Sequence, residues 1–121
     1  MYVYSFEKLE VWKEAVQLSK EVYKITATFP NDEKFGLTSQ LRRAAVSISS
    51  NLAEGTTRIT SKDKAHFTVM AYSSCMEVLN QLIIANELNY ILEEDFLELR
   101  LRIQKISNML NALRKAQLKN N

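Results

Sequence analysis

Apolar side chains recur three and four residues apart over most of this sequence, the spacing that lines one face of a helix. In the first segment Leu9, Trp12, Val16 and Tyr23 form one such row, and Val11, Ala15, Leu18, Val22 and Ile25 a second. The spacing predicts a helix over about 5–28 with Ser5 as its N-cap, ended by Phe29-Pro30-Asn31 because the residue before proline avoids the α region. A second helix is expected over about 33–54, with Gly55 in the left-handed position beyond it. Thr60 caps a third over about 61–88, Asp63 completes a capping box, and Asn89 is a left-handed stop. The fourth, over about 94–118, begins on acids that suit the positive end of a helix dipole. Its seam of Phe96, Leu99, Ile103, Ile106, Leu110 and Leu113 alternates threes and fours. The last residues, Lys119-Asn120-Asn121, are expected to fray. Joints this short make neighbours run antiparallel, so 1–121 reads as a single all-α domain, an up-down-up-down four-helix bundle.

The charges are unevenly spread over these helices. Eight charged residues lie between Glu7 and Lys24, and ten between Glu93 and Lys119. The run from Ala44 to Ala53, AAVSISSNLA, has none, and from Phe67 to Leu88 only Glu77 and Glu87 are charged. A helix without a solvated face is normally buried all round, and four helices do not bury two of their members completely. The simplest cover is another copy of the same chain. Small residues let a neighbouring backbone approach, so Ala44, Val46, Ser49, Ser50 and Ala53 of helix two, with Met70 and Cys75 of helix three, are assigned to a homo-oligomer contact. The alternative is a monomer with an uncharged, serine-rich surface.

Composition narrows the chemistry. Two Gly and one Pro in 121 residues leave little room for the turns of a β-sandwich or barrel. The same two Gly do not make a Rossmann fingerprint or a P-loop, and one His with one Cys does not make a zinc site. A lone Cys excludes an internal disulfide and favours a reducing cytoplasm. The stretch Phe67–Leu88 is long enough to span a bilayer, but Glu77 at its middle would be costly there, so no membrane partner is expected. No cofactor, metal or small-molecule substrate is expected either. Asp63 and His66 share a helix face without the Glu-x-x-His pairs of a di-metal bundle. Ser47 and Ser74 lack a histidine base.

A polar stripe runs beside the core of helix two: Gln40, Arg43, Ser47, Asn51 and Glu54. With Ser74 and Glu77 of helix three it reads as a structural network in which Arg43 or Asn51 satisfies a buried Glu77. A catalytic Glu54–Glu77 pair is the sharper reading, but glycosidase-type pairs need a sugar cleft that nothing here builds. No enzyme is expected. Arg42, Arg58, Lys62 and Lys64 are the candidate nucleic-acid contacts, a basic rim around one end of the bundle, in place of ordinary solvated cations. No RNA-reading module of the RRM or KH type is present.

The runs FEKLEVWKEAVQLSKEVYKIT, FPNDEKFGLTSQLRRAAVSISSNLAEG and FTVMAYSSCMEVLNQLIIANEL resemble the bacterial four-helix-bundle proteins encoded in intervening sequences of 23S ribosomal RNA genes. The specific positions are Gln40 to Ala45, Ser47-Ile48 and Asn51 to Gly55, with Ala71, Ser74 and Glu77 in helix three; Ser73 and Val78 depart from the pattern. The chain is also similar to the accessory proteins of diversity-generating retroelements. The resemblance implies a cyclic homopentamer, ribosomal-protein-like, that binds the backbone of RNA or DNA through a basic surface. The alternative it implies is a scaffold that docks a partner enzyme such as a reverse transcriptase.

Overall fold

A computed structural model describes residues 1–119; Asn120 and Asn121, expected to fray, lie outside the described residues. Four α-helices account for most of the chain: α1 (Glu10–Thr26), α2 (Leu37–Gly55), α3 (Ser61–Glu87) and α4 (Glu93–Lys119). Short 3-10 turns precede the first two, at Ser5–Lys8 and Asn31–Glu33, and no strand occurs among the described residues.

The first helix is not continuous from Ser5. Leu9 takes extended backbone angles (φ −74°, ψ 123°) between the 3-10 turn and α1. Ser5 makes no cap; the Glu7 carboxylate instead accepts the Tyr4 N–H at 2.7 Å. The break folds Phe6 edge-on against Trp12, ring centres 5.2 Å apart, with Leu9 packed on the core. α2 starts at Leu37, whose N–H is accepted at 3.2 Å by Glu33 Oε1 four residues upstream. Gly55 is the last helical residue of α2 and has no positive φ, so it is not a left-handed stop. It is glycine for a different reason: a Cβ there would sit 2.9 Å from the Cβ of Phe67, where α2 and α3 approach closely.

Two expected boundaries are found in place. Thr60 Oγ1 accepts the Asp63 N–H at 3.1 Å. Asn89 has φ 62°, and Tyr90 N donates to Ala85 O at 2.9 Å while Asn89 N donates to Asn86 O, a Schellman stop. The core is built from Leu18, Leu41, Ile48, Leu82, Ile103 and Ile106, all fully buried. Each such side chain contributes about 1.5–3 kcal/mol by leaving water. On α1 the row through Val11, Ala15, Leu18 and Val22 faces this core, while Tyr23 of the other row is exposed.

Helices pack unevenly around that core. α2 and α3 are the most closely joined pair, and α1 and α4 the loosest. Ion pairs bridge the loose seam: Arg102 reaches Glu14 at 3.3 Å and Glu21 at 2.8 Å, and Lys105 reaches Glu14 at 3.2 Å. α3 is long and apolar enough to cross a membrane by length and composition. Here it packs against α2 and α4 through Thr68, Ser74, Cys75, Val78, Gln81 and Leu82 among others.

Candidate nucleic-acid interface

The start of α1, the end of α2, the start of α3 and the end of α4 gather at one end of the molecule. Ser5, Leu9, Asn51, Gly55, Thr56, Lys64, Thr68, Leu113 and Gln117 share one cavity of about 220 Å³ there. Thr68 is buried, and its hydroxyl donates to Gln117 Oε1 at 2.7 Å, tying α3 to α4. Lys64 brings the cavity its charge.

Around it stand the cations of the α2–α3 joint. Arg58 is exposed, its guanidinium 4.6 Å above the Phe67 ring, an arrangement that supports the chain without discharging it. Lys62 and His66 are exposed on the first turns of α3. Among the described residues, Arg58, Lys62 and Lys64 form no ion pair. Lys8 and the α4 residues Arg114, Lys115 and Lys119 come to the same end, equally unpaired among the described residues. Residues 1–13, 54–68 and 109–119 together carry eight of the sixteen Lys and Arg but four of the fourteen Asp and Glu. This end is therefore basic and the remainder acidic, although the chain as a whole is only +2.

Arg42 does not belong to the set. Its Nε donates to Thr26 Oγ1 at 2.9 Å, Nη2 donates to Tyr23 O at 3.3 Å, and the guanidinium lies 4.5 Å over the Tyr23 ring. It ties α2 to the carboxyl end of α1, where Tyr23 O also accepts the Ala27 N–H, at the opposite end of the molecule. A wheel of α2 alone shows Arg42 without a partner because the partner is on α1.

The expected polar network is half present. Ser47 and Ser74 hydroxyls meet at 2.9 Å across α2 and α3, and Asn51 Nδ2 donates to Ser47 O at 2.9 Å. Glu77 is exposed and accepts from Gln81 Nε2 at 3.2 Å, so it needs neither Arg43 nor Asn51. Gln40, Arg43 and Glu54 face solvent, outside the network. Glu54 stands at the end of α2 and Glu77 near the middle of α3, both exposed, and they build no carboxylate dyad.

Two interface assignments are also corrected. Ala44 and Cys75 lie in this chain's own core. The Cys75 thiol points at Ile103 O, 3.9 Å away on α4, and burial pushes its pKa up to about 11. Small residues at these positions admit a neighbouring helix of the same chain. Val46, Ser50 and Met70 remain exposed, and Ser49 and Ala53 half-buried. Nor is α3 buried on every side: His66, Val69, Met70, Ser73, Glu77, Asn80 and Ile84 form an outward row, three or four apart, with one acid in it.

The acidic end holds a larger groove of about 380 Å³ between α1 and α4. It is lined by Lys24, Ile25, Tyr90, Ile91, Asp95 and Glu98 among others, so titratable groups do converge on a cleft that the sequence reading did not foresee. Glu21 on its wall is tied to Arg102. The Tyr90 hydroxyl, outside that salt bridge, donates to Glu33 at 2.9 Å, a bond that with burial and the charges of Glu33 and Asp32 raises its pKa.

Comparison with known proteins bears on the fold first. A crystal structure of a protein of unknown function from the S23 ribosomal protein family of Bacteroides thetaiotaomicron superposes with a TM-score of 0.78. It is 18% identical and covers 87% of this chain and 98% of that one, a likeness that shows the shared four-helix fold. No curated protein matches this sequence. The family model for 23S rRNA-intervening sequence proteins matches residues 7–112, and the chain belongs to that family.

Proposed function

We propose that the antiparallel, up-down-up-down bundle assembles with identical copies into a cyclic homo-oligomer, five by family resemblance, that binds the backbone of RNA or DNA without catalysing a reaction. The observation that carries the nucleic-acid reading is the unpaired basic end around Arg58, Lys62 and Lys64. Phosphate contacts gain by repetition, because each neutralised phosphate releases a counterion. A ring of five would carry roughly +10 in total, with its basic ends as the positive part and the remainder of each chain acidic. The assembly reading is supported by the charge-poor outer flank of α2 and α3, where Val46, Val69, Met70 and Ile84 stay in water in a single chain. A cytoplasmic setting accords with a lone buried thiol.

The test is a salt titration with structured RNA. Affinity should fall steeply between about 50 and 200 mM salt, by about tenfold or more if several phosphates are engaged. Replacing Arg58, Lys62 and Lys64 together by Ala should flatten that slope. An affinity indifferent to salt would overturn the reading. The second reading, a scaffold that docks a partner enzyme such as a reverse transcriptase, draws on Arg42, whose charge serves the chain's own interior. Absence of any nucleic-acid binding by the assembled protein would favour it.

A further inference from the structure

The segment before α1 holds its aromatic side chains in an unusual way. Tyr2 and Tyr4 meet edge to face with ring centres 4.9 Å apart. Tyr4 lies nearly parallel to Phe6, 16° between planes and 6.3 Å between centres, and Phe6 rests on Trp12. The inner members of this ladder are partly covered, but Tyr2 is 75% and Tyr4 60% exposed. The segment is held in place: Glu7 grips the Tyr4 N–H, and Ser5 and Leu9 line the basic end's cavity beside Lys64. Rings exposed to water, on a segment whose Ser5 and Leu9 share a cavity with Lys64, bring to one end of the molecule the two components with which proteins hold unpaired bases: a π-face for stacking and a charge for the phosphate. Duplex nucleic acid hides its base faces and would leave the tyrosines uncovered.

We infer that Tyr2 and Tyr4 form a stacking platform for the bases of single-stranded nucleic acid, with Lys8, Lys64 and Arg58 holding the adjoining phosphates. The inference rests on the nucleic-acid reading above and deepens it: the preferred ligand has unpaired nucleotides, and the contact is indifferent to their sequence because every base has a face to offer. An apolar protein segment covering the same rings is the competing occupant.

The probe is a uridine oligonucleotide, compared with an RNA duplex of equal phosphate number. The wild-type assembly should bind the single strand more tightly than the duplex. Tyr2→Ala with Tyr4→Ala should weaken single-strand binding by about tenfold or more, since each ring lost removes a face on which a base stacks. Duplex binding and the slope against salt should stay unchanged, because the cations remain. Tyr2→Phe with Tyr4→Phe should restore affinity, and an oligonucleotide carrying 5-iodouridine should photocross-link to Tyr2 or Tyr4. Helix content by circular dichroism should be the same in all variants, as the two rings lie outside the core. Undiminished single-strand binding by the double Ala variant, or cross-links only elsewhere, would overturn the platform and leave the basic end standing. A wild-type protein that binds neither probe would overturn both.

Discussion

The two sides of this bundle are held together by different physics. Between α2 and α3 the helices approach closely enough that a Cβ on Gly55 would strike Phe67, and the polar contact across them is a serine pair, with Ser47 also held by an asparagine amide of its own helix. Between α1 and α4 the approach is loose, leaves a groove of about 380 Å³, and relies on Arg102 and Lys105 reaching Glu14 and Glu21. Their outward faces differ in the same sense. α4 turns Glu98, Arg100, Lys105, Arg114 and Lys115 to solvent, whereas the exposed row of α3 from His66 to Ile84 carries one acid. Both faces leave apolar side chains in water, but only that of α2 and α3 does so with little charge around them, and that is the face the proposed assembly would cover.

The largest effect that separates the two sides is on the core. Ile48→Ala, at a fully buried site on the tight side, should cost about 2–5 kcal/mol in urea unfolding. Leu101→Ala, exposed on α4, should stay within about 0.5 kcal/mol. Equal losses would mean that the two faces are not packed as described. Arg102→Ala removes two of the three bridges of the loose seam at once. Partly solvated groups limit that loss to about 1–2 kcal/mol. High salt should shrink it, which a urea series at two ionic strengths would detect. A cycle of Ser47→Ala and Ser74→Ala should give a coupling of about 0.5–1.5 kcal/mol, and additive losses would deny the hydroxyl pair.

The smallest effect near neutral pH concerns Cys75. Its folded pKa, raised from 9.0 to about 11, favours the neutral thiol inside the fold. That stabilisation is complete below about 9.0 and declines as pH rises toward about 11, because the unfolded chain ionises first. The urea midpoint of the wild type should therefore fall more over that window than that of Cys75→Ala. A parallel decline in both would remove the thiol from the account.

Much of this architecture could be read from residue spacing, and the misreadings have definite causes. Thr60 and Asn89 placed two boundaries because each restricts backbone or cap chemistry within a turn of itself. The break at Leu9 escaped notice because Leu9 and Trp12 keep helical spacing whether or not the backbone extends between them. Ala44 and Cys75 were given the wrong neighbour: small residues announce a close approach but not whose helix approaches. Arg42 shows the same limit, since its acceptors, Thr26 and Tyr23, lie 16 and 19 residues upstream. Lys8, Arg114 and Lys115 could have been grouped with Arg58, Lys62 and Lys64, as short joints in a four-helix chain bring those stretches to one end. Their omission came from reading each joint alone. The exposure of Tyr2 and Tyr4 left no signal in the spacing, because an aromatic ladder outside a helix has no period.

Light scattering of the purified protein across a wide concentration range tests the central claim, that copies of this chain cover the outer flank of α2 and α3. The mass should be several times 14.0 kDa, reduced toward that value when Ser50 and Met70 are both replaced by Glu. A mass of 14.0 kDa for the wild type at every concentration would contradict it.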